Sequence, residues 1–155
     1  MALEIERKFK LARPEVLRGL TGKHLTQAYL AQGSVLVRVR ISEDEARLTL
    51  KSAPIGQATR HEWEYVVPRQ DALEMARQPG VYGLEKTRYE IWHQGLCFEV
   101  DEYHGGLKGL YTVEVELQDA QQAVELPEWV GEELTGQRGW DNDSLARSGW
   151  PLNAR

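Results

Sequence analysis

Eight stretches of this chain alternate apolar and charged or polar residues with a period of two. On seven of them charges of one sign gather on a single face. Successive side chains of a strand point to opposite faces, so each stretch reads as a strand with one apolar face and one charged face. The first is LEIERKFK, residues 3–10, where Glu4, Glu6 and Lys8 alternate with Ile5, Arg7 and Phe9. In VLVRVRIS, Arg38 and Arg40 oppose Val37, Val39 and Ile41, and in ARLTLKSA, Arg47, Thr49 and Lys51 oppose Leu48 and Leu50. In TRHEWEYVV, Glu62 and Glu64 oppose Trp63 and Tyr65, and in EKTRYEIWH, Lys86 and Arg88 oppose Thr87 and Tyr89. Glu99 and Asp101 oppose Phe98 and Val100 in LCFEVDEY, while Glu114 and Glu116 oppose Val113, Val115 and Leu117 in LYTVEVELQ. The second stretch, LTQAYLAQ, is the exception and places Tyr29 with Gln27.

One such strand is ordinary. A half-solvated sheet alternates in this way, and its cross-strand ion pairs contribute about 0.2–1 kcal/mol each. The sorting is harder to explain, because like charges on one face repel and a merely soluble surface mixes signs. Acid accompanies acid on four strands and base accompanies base on three. Eight acids facing seven bases suit two ligands at once. A polyanion takes Arg and Lys donors, Arg being suited to bidentate capture of phosphate oxygens. A divalent cation on that polyanion takes hard carboxylate oxygens. A closed eight-stranded barrel has room for a small ligand and no sheet edges. The charged face then points inward, and the apolar face must be covered by helices.

Tight turns at Gln32-Gly33-Ser34, Glu43-Asp44-Glu45 and Gln94-Gly95 make neighbouring strands antiparallel. The stretch from His104 to Gly109 reads as a longer glycine-rich hairpin loop at a barrel mouth. Helices are expected at Pro14 to Leu20, Asp71 to Gln78 and Asp119 to Leu126. Glu128 to Leu134 is expected to continue the last of these, and Ser144 to Arg147 to form a final turn. The fold class is mostly β (α+β): a closed antiparallel eight-stranded barrel with peripheral helices, in one domain spanning 1–155.

Composition narrows the functions. A net charge of −5 gives no basic footprint for nucleic acid. No apolar run reaches the roughly 20 residues of a membrane helix, and the acidic start does not resemble a signal peptide. Cys97 is the single cysteine, so no intrachain disulfide is expected and a reducing, cytoplasmic setting is. Four histidines show no metal spacing, no phosphate-cradling glycine loop is present, and the five tryptophans read as packing for the outer face and the C-terminal segment.

The opening EIERK resembles the ExExK signature of the CYTH superfamily, the triphosphate tunnel metalloenzymes. VRVR, TLK, EWEY, EKTRY, FEVDEY and VEVE follow in that family's order, and WDNDSLA resembles its closing segment. The resemblance implies a triphosphate-binding tunnel that works with Mg²⁺ or Mn²⁺. It implies substrate-binding roles for Lys8, Tyr29, Arg38, Arg40, Arg47, Lys51, Lys86 and Arg88. It implies metal-binding roles for Glu4, Glu6, Glu62, Glu64, Glu99, Asp101, Glu114 and Glu116. Glu4, Glu6 and Lys86 are the candidate catalytic groups, the general base being either a carboxylate of that pair or the lysine. Hydrolysis of inorganic tripolyphosphate is the leading expectation. A class IV adenylate cyclase, a thiamine or nucleoside triphosphatase, and a binding module without turnover remain open. The expected partner is a triphosphate-containing small molecule, with no nucleic acid and no membrane, and a homodimer is left open.

Overall fold

A computed structural model describes residues 2–151. Its nine strands are β1 (Leu3–Leu11), β2 (Lys23–Ala31), β3 (Val35–Ile41), β4 (Ala46–Ser52), β5 (Thr59–Val67), β6 (Tyr82–His93), β7 (Leu96–Tyr103), β8 (Tyr111–Glu116) and β9 (Val130–Glu133). Two α-helices join them, α1 (Arg69–Ala76) and α2 (Asn142–Ser148), with short 3-10 turns at Pro14–Leu17 and Gly105–Leu107. The strands run in the order β5-β4-β3-β2-β6-β7-β8-β1, every pairing antiparallel, and β5 pairs again with β1. That seam sets Leu3 opposite His61 and Ile5 opposite Thr59, and hydrogen bonds from Glu6 N to Ala58 O and from Glu62 N to Ala2 O extend it. Eight strands therefore close into a ring, as the alternation requires.

The ring is inside out. Its outward apolar face is covered in two places. α1 lays Ala72 over Ala28, Val39, Ile41 and Ala46 of β2–β4. On the other side Phe9, Phe98, Val100, Val113, Val115 and Leu117 are buried under Leu17, Val124, Trp129 and Val130. A third cluster plugs one end of the ring. Leu84 and Tyr103, which share the inward faces of β6 and β7 with the charges, pack with Leu107, Leu110, Leu134, Trp140 and Leu145. α2 thus sits across the end where β6 begins and β7 stops.

Several expectations are corrected. Residues 128–134 form no helix: β9 lies along the half of β1 that β5 leaves free, setting Glu133 opposite Phe9 and Val130 opposite Leu11. An exposed backbone edge won over a weak helical pattern. Residues 119–126 form only a turn, in which Gln121 N donates to the Asp119 carboxylate at 2.7 Å and Gln122 N to Asp119 O at 3.0 Å. The 104–109 loop lies at the plugged end, where Leu107 and Leu110 belong to the hydrophobic plug. The helix at Pro14 is a single 3-10 turn, and the final turn is longer than expected, with Asp141 as its cap. Trp92 is 69% exposed and covers nothing on the outer face.

Candidate active site

The enclosed space has a volume of about 490 Å³. Because inward positions recur every second residue, seven of the strands deliver charged side chains to this space without any loop having to do so. Lys8, Arg38, Arg40, Lys51, Lys86 and Arg88 line it, with Tyr29 beside them. Glu4, Glu6, Glu62, Glu64, Glu99, Glu114 and Glu116 line it too. Strand register sets like charges directly opposite one another: Glu6 faces Glu116 and Glu99 faces Glu114. Such pairs are unfavourable by themselves.

The bases are held by acids in a chain of contacts. Arg88 grips Asp101 through Nε and Nη2, both at 2.8 Å, and reaches Glu99 at 3.2 Å. Lys86 Nζ donates to the second Asp101 oxygen at 2.7 Å, with both side chains fully buried. Lys51 lies 3.2 Å from Glu4 and 3.4 Å from Glu62. Arg40 approaches Glu64 at 3.3 Å, and Thr49 Oγ1 donates to the same carboxylate at 2.8 Å. Lys8 Nζ donates to Trp140 O at 3.0 Å and faces Glu114 at 3.8 Å.

Burial, then the neighbouring Glu114, drives the Glu6 carboxyl well above its usual range. Burial works in the same direction on Glu114, but Lys8, the hydrogen bond from Glu6 and Arg88 hold it well below. The protonated form is therefore favoured at Glu6 and the ionised form at Glu114. Glu62 and Glu4 repeat the pattern: burial and the Glu4 charge push Glu62 up to about 7. Glu4 is kept low, its burial outweighed by Lys51 and the hydrogen bond with Glu62. Burial brings Lys86 down to about 7 against the pull of Asp101, and Arg88 adds to the fall. Burial, then Arg38 and Arg88, lowers Arg40. Burial takes Tyr29 up to about 12, leaving its hydroxyl a proton donor.

Two expected residues do not line the cavity. Arg47 has a side chain 41% exposed, paired with Glu45 at 3.4 Å and Glu64 at 3.2 Å. Asp101 lies behind the wall, with both oxygens engaged by Lys86 and Arg88. Its place is that of an anchor for two bases. The sequence reading passed over Arg60, Arg138 and Asp141 to Asp143, which also border the cavity. Arg60 shares the inward parity of Glu62 and Glu64, so alternation contained the signal. Arg138 lies in an irregular loop, where no periodicity exists to find it.

Among the described residues no three acids or histidines converge closely enough to hold a metal ion as they stand. Their oxygens are divided among ion pairs. The donor set nevertheless fits a hard divalent cation. In each of two carboxylate pairs one member, Glu6 or Glu62, is pushed toward its protonated form by burial and its neighbour, a shift that a divalent cation would oppose. Glu114 Oε1 is buried without a hydrogen-bond partner. An inward ring of carboxylates beside arginines and lysines has the chemistry to take a polyanion together with a divalent counter-cation.

Residues 2–148 match the model of the CYTH domain, and the chain belongs to that family. An inorganic triphosphatase of Nitrosomonas europaea is 39% identical over 94% of this chain and 97% of its own. An inorganic triphosphatase of Acetivibrio thermocellus is 33% identical, with 96% of each chain covered. A crystal structure of an inorganic triphosphatase superposes with a TM-score of 0.60 at 32% identity, over 93% of this chain and 97% of that one.

Proposed function

We propose that this protein hydrolyses inorganic tripolyphosphate to pyrophosphate and phosphate, using Mg²⁺ or Mn²⁺. The observation that carries the reading is the enclosure of like charges in direct cross-strand register. Such an arrangement is costly unless a polyanion and a cation neutralise it. The two relatives bearing the triphosphatase name over nearly their whole length support the same reading. The single cysteine favours a cytoplasmic setting.

Phosphoryl transfer leaves the protein little covalent chemistry to do, so positioning and electrostatics dominate. Arg38, Arg40, Lys51 and Arg88 take the phosphate oxygens, relieving the mutual crowding that lowers Arg40. Tyr29 adds a neutral donor. Asp101 fixes Arg88 in two-pronged geometry and holds Lys86 beside it. Glu4, Glu6, Glu62 and Glu114 would hold the metal, with Glu64, Glu99 and Glu116 on the same wall. A metal held there would neutralise phosphate oxygens and lower the pKa of a nearby water. In the hydrolysis a water molecule's oxygen bonds to a terminal phosphorus as the P–O bond to pyrophosphate breaks. Its proton goes to a Glu4 or Glu6 carboxylate, or to the Lys86 amine, whose pKa of about 7 leaves it partly neutral at neutral pH.

The test is a substrate panel of tripolyphosphate, ATP and thiamine triphosphate with Mg²⁺ and Mn²⁺. Tripolyphosphate is expected to give the highest kcat/KM. A higher value for either organic triphosphate would replace this reading, and no phosphate release from any of them would end it.

A further inference from the structure

Every base of the inner wall described so far has an acid within 4 Å. Arg60 and Arg138 differ. Both border the cavity, and neither has an ion pair or hydrogen bond to another described side chain. They come from two segments that meet at the plugged end of the ring. Arg60 opens β5 after the 53–58 loop, and Arg138 follows the chain reversal at Gly136. Gln57 Nε2 donates to Thr135 O at 3.2 Å, joining the two segments. The Gln57 stem passes so close to Gly136 that a Cβ there would meet Cγ at 2.5 Å. Two guanidinium groups with no acid partner among the described residues border the same cavity from adjoining segments, and an acceptor-rich anion there would engage both.

What lies behind the set limits that anion. α2 closes the end through Leu145, with Leu107, Leu110 and Leu134 packed around it. Tyr103 Oη donates to Asn142 Oδ1 at 2.6 Å, and Tyr82 Oη is hydrogen-bonded to Asp143, so the cap is latched by side chains of β6 and β7. The cavity lining here includes Leu36, Pro54, Gln57, Thr135 and Gln137. The aromatic residues that border the cavity, Tyr29 and Trp140, are 1% and 2% exposed, leaving little ring face for a purine or thiazole to stack on. A bare terminal phosphate satisfies the arginines. A nucleoside-esterified phosphate brings less charge and a ring system with nowhere to stack.

We propose that Arg60 and Arg138 form a terminal-phosphate subsite that selects unesterified inorganic triphosphate over nucleoside triphosphates. The inference rests on the tripolyphosphatase reading. The subsite takes the end phosphate remote from the one cleaved, which in a nucleoside triphosphate is the esterified α-phosphate, while the inner bases hold the remainder. Selectivity then comes from the loops at the plugged end, and the inner strands bind the phosphate chain common to both ligand types.

The test compares wild type, Arg60→Gln, Arg138→Gln and the double variant. It measures KM for tripolyphosphate and the inhibition constant of ATP as a competitor of that hydrolysis. The double variant is expected to raise KM for tripolyphosphate at least about 10-fold while the ATP constant moves less than about threefold. Arg60→Lys is expected to recover most of the loss in the single variant, which a purely structural defect would not allow. Unfolding temperatures should match wild type, since neither arginine has an ion pair or side-chain hydrogen bond among the described residues to lose. Equal weakening of both ligands, or no change in either, overturns the subsite. A wild type that releases no phosphate from tripolyphosphate overturns the underlying function instead.

Discussion

Lys51 lies between Glu4 and Glu62, whereas Arg40 is crowded by Arg38 and Arg88, and this difference separates two substitutions that look alike in the sequence. Alternation alone makes each a member of a repelling base cluster, so losing either should cost little stability. The structure keeps that expectation for Arg40→Ala, which should weaken triphosphate binding while the unfolding temperature stays level or rises. For Lys51→Ala it reverses it. The variant leaves Glu4 and Glu62 facing each other, so it should melt several degrees below wild type at pH 8 and closer to wild type at pH 5.5, where Glu62 is protonated. Thermal scans at the two pH values check this, and a deficit independent of pH would contradict it. The same carboxylates set the pH response of the metal-free protein. Burial and the Glu4 charge bring Glu62 to about 7 in the folded protein, above the 4.5 of an ordinary glutamate, and Glu6 is raised as well. Between those limits the folded state binds more protons than the unfolded one, so stability falls as pH rises from 5 to 7. Saturating Mg²⁺ displaces those protons and should flatten the decline. A metal-free unfolding temperature that rises over that range would refute the assignment.

Strands were far more legible than helices, and the reason lies in what fixes each element. A strand whose two faces have opposite character announces its parity in every residue, so the inward positions of seven strands could be read directly. The helices are short and act as covers, and their sequences carry little pattern of their own. β9 was missed because Val130 to Glu133 becomes a strand only through the free edge of β1, a partner about 120 residues away in the chain. α2 holds its place by a different device. Asp141 accepts from Ser144 N at 3.0 Å and from Ser144 Oγ at 2.8 Å, capping a helix of seven residues. Asp141→Ala should therefore cost about 1 kcal/mol, or roughly 2–4 °C in a chain of this size. A denaturant titration would measure it, and an unchanged midpoint would show that the plug cluster alone seats the helix.

Across the whole molecule, an ordinary barrel is turned inside out, and the energy that arrangement costs defines the ligand that relieves it. Sorted charges showed that the barrel is inverted and which residues face inward. They did not show which acids would be committed to bases. Asp101 matches Glu99 in the sequence, yet only the three-dimensional meeting of β6 and β7 makes it an anchor for Lys86 and Arg88. Nor did they reveal Arg138, whose loop position has no period. The central claim is that the inward carboxylates serve metal-assisted hydrolysis. The measurement that tests it most directly is phosphate release from tripolyphosphate by wild type, Glu4→Gln and Glu6→Gln at saturating Mg²⁺, with an excess-EDTA control. Each Gln keeps the size of the side chain and removes its charge. The account predicts that wild-type turnover disappears in EDTA and that each variant loses on the order of 10²-fold in kcat, about 2.7 kcal/mol. Both variants should still bind tripolyphosphate and melt at or above the wild-type temperature. Wild-type turnover in both variants, or full activity in EDTA, would contradict it.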